Sequence, residues 1–319
     1  MDGVVASAVP VGPPPTRGEE GPNYQIIVPQ LVKGAVIPFL GSGASMFHRR
    51  LLNGAACPPS AIELAERLAM TAQLAADTEE YRLIRADLPL AASYFEHVEL
   101  DRDGLRDELI SVFSSPFEPN LLHRLLAKLA AKQPLLIITT NYDDMIESAF
   151  RAAKVPYQLV VTAIEDLQVK FQEAGGNGLE PVDPQTLKIS LKQASIIYKM
   201  HGSIDRTGNQ PPDDHFVITE EDYVAFLGSL LVPPAISALF MTRRFLFLGY
   251  SLRDWNFRVM LGQRLQESGK LKKSWAIQHR PNSIETKLWE KKNVEIFNMD
   301  LLDFATELTA QVEALSPAP

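Results

Sequence analysis

The chain has one cysteine, Cys57, in 319 residues. A lone thiol cannot close an internal disulfide or supply the paired cysteines of a structural zinc site, and this usage fits a reducing compartment such as the cytoplasm. Long apolar runs are missing as well. Runs such as Pro134 to Ile138 and Phe245 to Leu248 fall far short of the roughly 18 residues that a bilayer-crossing helix needs, so no membrane span is expected. The N-terminus lacks the basic segment and apolar stretch of a secretory signal. Basic charge is scarce: 31 Lys and Arg against 39 Asp and Glu give a net charge of −8 and a pI near 5.4. Such a chain offers no positive field to a phosphate backbone, and direct nucleic-acid binding is not expected. His97, His123, His215 and His279 stand at no metal-ligand spacing from one another, and no metal is expected.

What is present is an ordinary globular composition, 46% apolar and 22% charged, enough to build a sizeable core. Short apolar runs alternate with amphipathic helical stretches, the pattern of parallel strands joined by crossover helices. The expected fold class is α/β, a Rossmann-like doubly wound parallel sheet with a smaller helical insertion. Residues 1–22, rich in Pro, Gly and Val, read as a flexible leader, and 23–319 as one domain with a mostly helical insertion at about 51–120. Expected strands are Ala35 to Leu40, Pro134 to Thr139, Ser195 to Met200, Phe245 to Leu248, Ser274 to Gln278 and Val294 to Asn298. Pro38 weakens the first, because proline has no N–H for the ladder and leaves it to pair only in part. Ser60 and Glu63 form a capping-box signature ahead of a helix. Helices are also expected over His123 to Leu129, Trp255 to Glu267 and Ile284 to Lys291. Glu173 to Thr186 collects Gly, Pro and Asn and reads as a surface loop.

Four of the apolar runs end in small and polar residues: Gly41-Ser42-Gly43-Ala44-Ser45, Thr139-Thr140-Asn141-Tyr142-Asp143-Asp144, His201-Gly202-Ser203, and Gly249-Tyr250-Ser251-Leu252-Arg253-Asp254. In an open parallel sheet the carboxyl ends of the strands share one edge, where ligands bind, so these clusters should meet around one pocket. Each has an ordinary reading too. The glycine-rich segment could be a tight turn, Asp143 or Asp144 could cap the following helix, and a single histidine is more often a satisfied structural one. Trp255 and Phe257 read as core packing at a helix start rather than as a stacking surface, while Tyr250 stays open. His48, Arg49 and Arg50 read as a solvated cationic face.

Taken in order, GSGAS, TTNYDDMIE, KMHGS and FLGYSLRDWNFR resemble the sirtuin (Sir2-like) family, in particular its prokaryotic branch associated with NAD hydrolysis and antiphage defence, over about Val32 to Asp300. The resemblance implies that Gly41, Ser42, Gly43, Ala44 and Ser45 hold the phosphates of NAD. It implies that Asn141 and Asp143 handle the nicotinamide ribose, with Thr140 beside them. His201 would be the base, and Gly249, Tyr250 and Ser251 would line the cofactor site, Gly249 and Ser251 contacting the adenosine half. Physical chemistry agrees, since cleavage of an N-glycosyl bond passes through an oxocarbenium-like state helped by fixed hydroxyls and a placed water. An amide both donates and accepts, and a histidine can take a proton near neutral pH. The chain departs from lysine-deacylating sirtuins in lacking their four-cysteine zinc module and in reading Met-Phe-His-Arg-Arg after Ser45.

The implied activity is therefore an NAD glycohydrolase that depletes NAD during phage infection. The alternatives are an NAD-dependent protein deacylase or ADP-ribosyltransferase, and a non-catalytic domain that senses NAD or ADP-ribose. The resemblance also implies control by homo-oligomerisation or by a partner such as a HerA-type ATPase or a short Argonaute.

Overall fold

In a computed structural model of the chain, residues 21–47, 56–99, 101–176, 178–204, 215–229, 231–268 and 271–315 are described, with backbone alone at 99, 256 and 263–268. The leader at 1–20 and the cationic run His48 to Arg50 lie outside them. Among the described residues no helix is long and apolar enough to cross a membrane.

The centre is a nine-stranded sheet. Its strands are β1 (Val36–Leu40), β2 (Leu136–Thr139), β3 (Tyr157–Ala163), β4 (Gln168–Gln172), β5 (Glu180–Val182), β6 (Ser195–Lys199), β9 (Arg244–Leu248), β10 (Ser274–Gln278) and β11 (Val294–Asn298). The order is β11-β10-β9-β1-β2-β6-β3-β4-β5. Every pairing is parallel except β3 with β4 and β4 with β5. A separate two-stranded ribbon joins β7 (Gly202–Ser203) to β8 (His215–Phe216). Helices separate β1, β2 and β3, and again β9, β10 and β11, whereas β3 through β8 follow one another without a helix; the molecule is an α/β Rossmann-like sheet, as its pattern predicts.

Burial explains why the central strands read as unbroken apolar runs. On β1, Val36 and Leu40 enter one core cluster with Ile137, Ile197, Leu246, Leu248 and Trp275. Ile37 and Phe39 enter another with Ile138, Ile196, Tyr198, Phe245 and Phe247. The first cluster is roofed by α1 (Tyr24–Val32), α7 (Leu121–Ala130), α8 (Met145–Ala152) and α13 (Leu301–Ala314). The second is covered by α9 (Glu220–Gly228), α10 (Pro234–Thr242), α11 (Trp255–Ser268) and α12 (Ser283–Glu290), through side chains such as Phe226, Phe240, Phe257 and Trp289.

Pro38 is tolerated in the middle of this sheet for a directional reason. Ala35 and Gly41 bond toward β9, through Arg244 N to Ala35 O and Gly41 N to Leu248 O, while Leu40 accepts from Thr140 N on the other side. Pro38 shares the parity of Leu40, so its missing N–H faces β2. The β1–β9 ladder accordingly registers five residue pairs and the β1–β2 ladder two.

Between α2 (Ser42–Met46) and α7 lie α3 (Ala61–Thr71), α4 (Glu79–Ile84), α5 (Leu88–Tyr94), a π-helical turn (Phe95–Glu99) and α6 (Arg102–Phe113). The Ser60–Glu63 capping box forms in full at the start of α3. Leu64, Leu68, Phe95, Leu105, Leu109 and Phe113 build a third cluster, which also takes in Tyr142, Met145, Phe216 and Ile218. These helices are thus packed directly onto the loop that follows β2. Arg102 adds a polar clamp, with Nη1 3.1 Å from Asp222 and Nη2 3.2 Å from Glu165 and 3.0 Å from Phe216 O.

The antiparallel side of the sheet departs from the sequence reading. Tyr157–Ala163 and Gln168–Gln172 are strands where none was expected, and the expected loop at 173–186 contains the edge strand β5.

Candidate active site

The loops after β1, β2, β6 and β9 converge on the carboxyl edge of the sheet, around a cleft of about 710 Å³. Glycine sets how closely two of them approach. Gly41 N–H donates to Leu248 O and Gly43 N–H to Gly249 O. Gly249 has φ +60°, and a Cβ there would sit 2.3 Å from Ala44 N, while one on Gly43 would sit 2.8 Å from Gly249 Cα. The backbones of the two loops interlock with no room for side chains. Gly41, Ser42, Ser45, Gly249, Tyr250 and Ser251 line the cleft, whereas Gly43 and Ala44 lie behind its wall.

Across from this junction, Thr140 continues the ladder through its N–H to Leu40 O, and Asn141 N–H donates to Thr139 Oγ1 at 3.0 Å. The Asn141 side chain donates from Nδ2 to Gly41 O at 3.0 Å and to Ser45 Oγ at 2.9 Å. Gly41 O can only accept, so the atom facing it is the amide nitrogen. Both amide protons are committed, and the chemistry left to Asn141 is that of its carbonyl oxygen, an acceptor. Ser45 Oγ passes the chain on by donating to Asp143 Oδ2 at 2.8 Å. Asp143 Oδ1 in turn accepts from Met145 N, so the helix-capping role falls to Asp143. Asp144 instead accepts from Ser148 Oγ and Arg151 Nη2.

Asp143 is 4% exposed. Burial pushes its carboxyl above the usual range, opposed by the Lys199 ammonium and the Ser45 and Met145 hydrogen bonds. Lys199, at the end of β6 and fully buried, pairs with Glu147 Oε1 at 3.0 Å and donates to the carbonyls of Tyr142 and Asp143. It ties the backbone of the Asn141 loop to the neighbouring strand. Burial likewise raises the Glu147 carboxyl, with Lys199 working against it. Neither residue was singled out in the sequence, because each looks like a solvated charge until the sheet brings them together.

His201 follows β6 and is 4% exposed. Its ring meets Tyr223 edge to face at 5.3 Å, and Nε2 lies 3.0 Å from Asp254 Oδ2. That contact is off the line of a hydrogen bond, and Nε2 has no hydrogen-bond partner. Gly202 is required beside it: φ is +90° and a Cβ would fall 2.0 Å from His215 O. Tyr250 is buried against Phe39, Phe247 and Phe257, with its hydroxyl unpartnered and pushed up by burial and then by Asp254. Phe257 is core, as expected. Trp255 is not: it is 68% exposed on the rim of the cleft, because the first turn of α11 projects past the apolar sheet face that buries Phe257. The opposite wall comes from the insertion, chiefly Pro58, Pro59, Leu64, Leu88, Pro89 and Phe113. Among the described residues no group of three His, Cys, Asp or Glu could hold a metal ion.

A family profile described as SIR2-like domain matches residues 135–297. This stretch carries Asn141, Asp143, His201 and Asp254. Among characterised proteins, the NAD(+) hydrolase ThsA of Acinetobacter baumannii (strain 532279) is 28% identical over 180 residues, which are 56% of this chain and 31% of the relative. The enzyme of the same name from Enterococcus faecium is 29% identical over 178 residues, 55% of this chain and 31% of that one. Defense-associated sirtuin 2 of Bacillus subtilis is 25% identical over 207 residues, 63% of this chain and 17% of the relative. The chain therefore matches about a third of the length of the two hydrolases. With a profile match over half its length, laid across the strands that carry the polar loops, the chain belongs to the SIR2-like domain family.

Proposed function

We propose that this protein hydrolyses NAD at the bond between nicotinamide and ribose, giving nicotinamide and ADP-ribose. The observation that carries the reading is the chain Asn141–Ser45–Asp143, fixed by hydrogen bonds of 2.9 and 2.8 Å on the wall of a cleft that His201 also lines. The relatives named NAD(+) hydrolase support it.

A water held by the carbonyl oxygen of Asn141 attacks the anomeric carbon of the nicotinamide ribose. The C–N bond breaks with its electron pair going to the pyridine ring, which leaves as neutral nicotinamide, and His201 takes the proton of the water. Because Asn141 is already bonded on its donor side, it costs little reorganisation at the moment of reaction. Asp143 keeps Ser45 oriented as donor and hence Asn141 in register. Gly41, Ser42, Thr140, Gly249, Tyr250 and Ser251 line the remaining sheet wall, where the rest of the dinucleotide lies, and the interlocked glycines hold that wall in shape. The relative named a defence-associated sirtuin supports a role in antiphage defence through NAD depletion. An activity that drains a central metabolite needs restraint, which we assign to self-association or to a partner protein.

The test incubates the purified protein with NAD, alone and with the products of neighbouring genes, and follows nicotinamide and ADP-ribose by chromatography. Equimolar release by the wild type, reduced to background in Asn141→Ala with an unchanged melting temperature, is the expected result. An acetylated peptide consumed in step with NAD would replace hydrolysis by deacylation, and no nicotinamide release under any condition would overturn the proposal.

A further inference from the structure

A carboxylate, Asp254, faces His201. Asp254 sits on the loop between β9 and α11, and its two oxygens have separate tasks. Oδ1 accepts the N–H of Phe257 at 3.2 Å and caps the first turn of α11. Oδ2 stands 3.0 Å from His201 Nε2, with both side chains nearly buried, 9% and 5% exposed. A carboxylate anchored through one oxygen, with the other against an imidazole nitrogen, is fixed in direction as well as in place.

The loop that carries it is held in unfavourable backbone geometry. Leu252, a fully enclosed non-glycine residue, has φ +61°, and its carbonyl is gripped by Arg258 Nε at 2.6 Å. Such a conformation is strained and persists only where the surroundings over-determine it. A buried imidazole nitrogen without a hydrogen bond is the second departure from ordinary packing at this spot, and it too is costly. Around the His201 ring the other titratable neighbour is Tyr223, whose hydroxyl is pushed far up by burial and then by Asp254, and stays neutral. Tyr250, beside Asp254, is neutral for the same reasons. Phe226 meets the ring edge to face at 6.4 Å.

We infer that Asp254 is the positioning residue of His201: it holds the proton on Nε2 and stabilises the imidazolium formed when the ring accepts a proton. A base oriented by a third group recurs wherever histidine does general-base work, and a carboxylate 3.0 Å from one ring nitrogen favours the proton there even off the ideal hydrogen-bond line. The catalytic part of this inference rests on the NAD reading, whereas the pairing itself does not.

Asp254→Asn separates the roles, because asparagine caps a helix as well as aspartate does and fills the same volume but has no charge. The expected loss in kcat is about 10- to 100-fold with KM within about threefold. In a His201→Ala background the same change should alter the residual rate by less than about threefold, since a group acting through the histidine has nothing left to act on. Equal losses in both backgrounds, or a wild-type rate in the single variant, overturn the inference. Asp254→Ser, which also caps, repeats the test if the asparagine variant misfolds. The substrate-free arm uses protein with 15N-labelled histidine, where His201→Ala assigns the ring signals among six histidines. Wild type should show His201 with the proton on Nε2, and Asp254→Asn should shift that tautomer population while Asn141→Ala does not. Unchanged His201 signals in Asp254→Asn refute the pairing. Altered signals together with no NAD cleavage by the wild type would sink the NAD reading and leave the pairing standing.

Discussion

The two walls of the cleft are built on different physical terms. The sheet wall is polar and self-satisfied: Asn141, Ser45 and Asp143 bond to one another, Gly41 and Gly249 lock two loops together through backbone, and Lys199 straps the loop after β2 to β6. The insertion wall is mostly apolar, offering Pro58, Pro59, Leu88 and Phe113; of its polar residues Ser60 and Asp87 cap helices, and others form surface ion pairs such as Arg85–Glu66 and Arg67–Glu108. One wall is arranged to do chemistry, the other to give shape and exclude water. If that division is right, substitutions on the two walls should fail in different ways.

The largest effect is expected where the sheet wall is closed by backbone. Gly249→Ala places a methyl 2.3 Å from Ala44 N at a positive φ, so the loops must separate. A stability loss of about 3 kcal/mol or more, read as a fall in melting temperature, should accompany loss of NAD binding. A variant of unchanged stability would show that the interlock is dispensable. Next comes His201→Ala, with turnover down by about 10²–10⁴-fold and NAD affinity nearly kept, compared by nicotinamide release and calorimetry. A matched loss of binding would return His201 to a structural role. On the other wall, Leu88→Ala should raise KM about tenfold with kcat within about twofold, the pattern of lost uniform binding. A collapse in kcat there would erase the proposed division. The smallest effect belongs to Arg85→Ala, which breaks a pair with 47% and 30% of its side chains exposed. A change within about 1 kcal/mol in denaturant unfolding and no change in turnover are expected.

The same contrast explains what could be read in advance. Core strands such as Leu136–Thr139 and Ser274–Gln278 declared themselves because both faces are buried and the run is bounded by polar residues. The antiparallel edge did not: Gln168–Gln172 alternates polar and apolar residues over only five positions, and Glu180–Val182 is a three-residue strand with Pro181 at its middle. Tyr157–Ala163 did carry a β-branched, apolar signal, and attention to Val160 and Val161 would have found it. At the site, Asn141, Asp143 and His201 stood out as polar residues at strand ends. Asp254 was hidden by its capping position, an ordinary role that it also fills. Trp255 misled because an aromatic at a helix start is usually core, and only the position of α11 at the sheet edge decides otherwise.

Lys199 has no solvent-exposed surface in the folded chain, while most of the other lysines are reachable. An amine-acylating label applied to native protein should therefore mark surface lysines within minutes and leave position 199 untouched. Acylation at that one nitrogen becomes a clock for the opening of the seam between β6 and the Asn141 loop. Mass spectrometry of the digest at increasing times would report how often the Asn141 loop comes loose from the sheet, without any substrate being present.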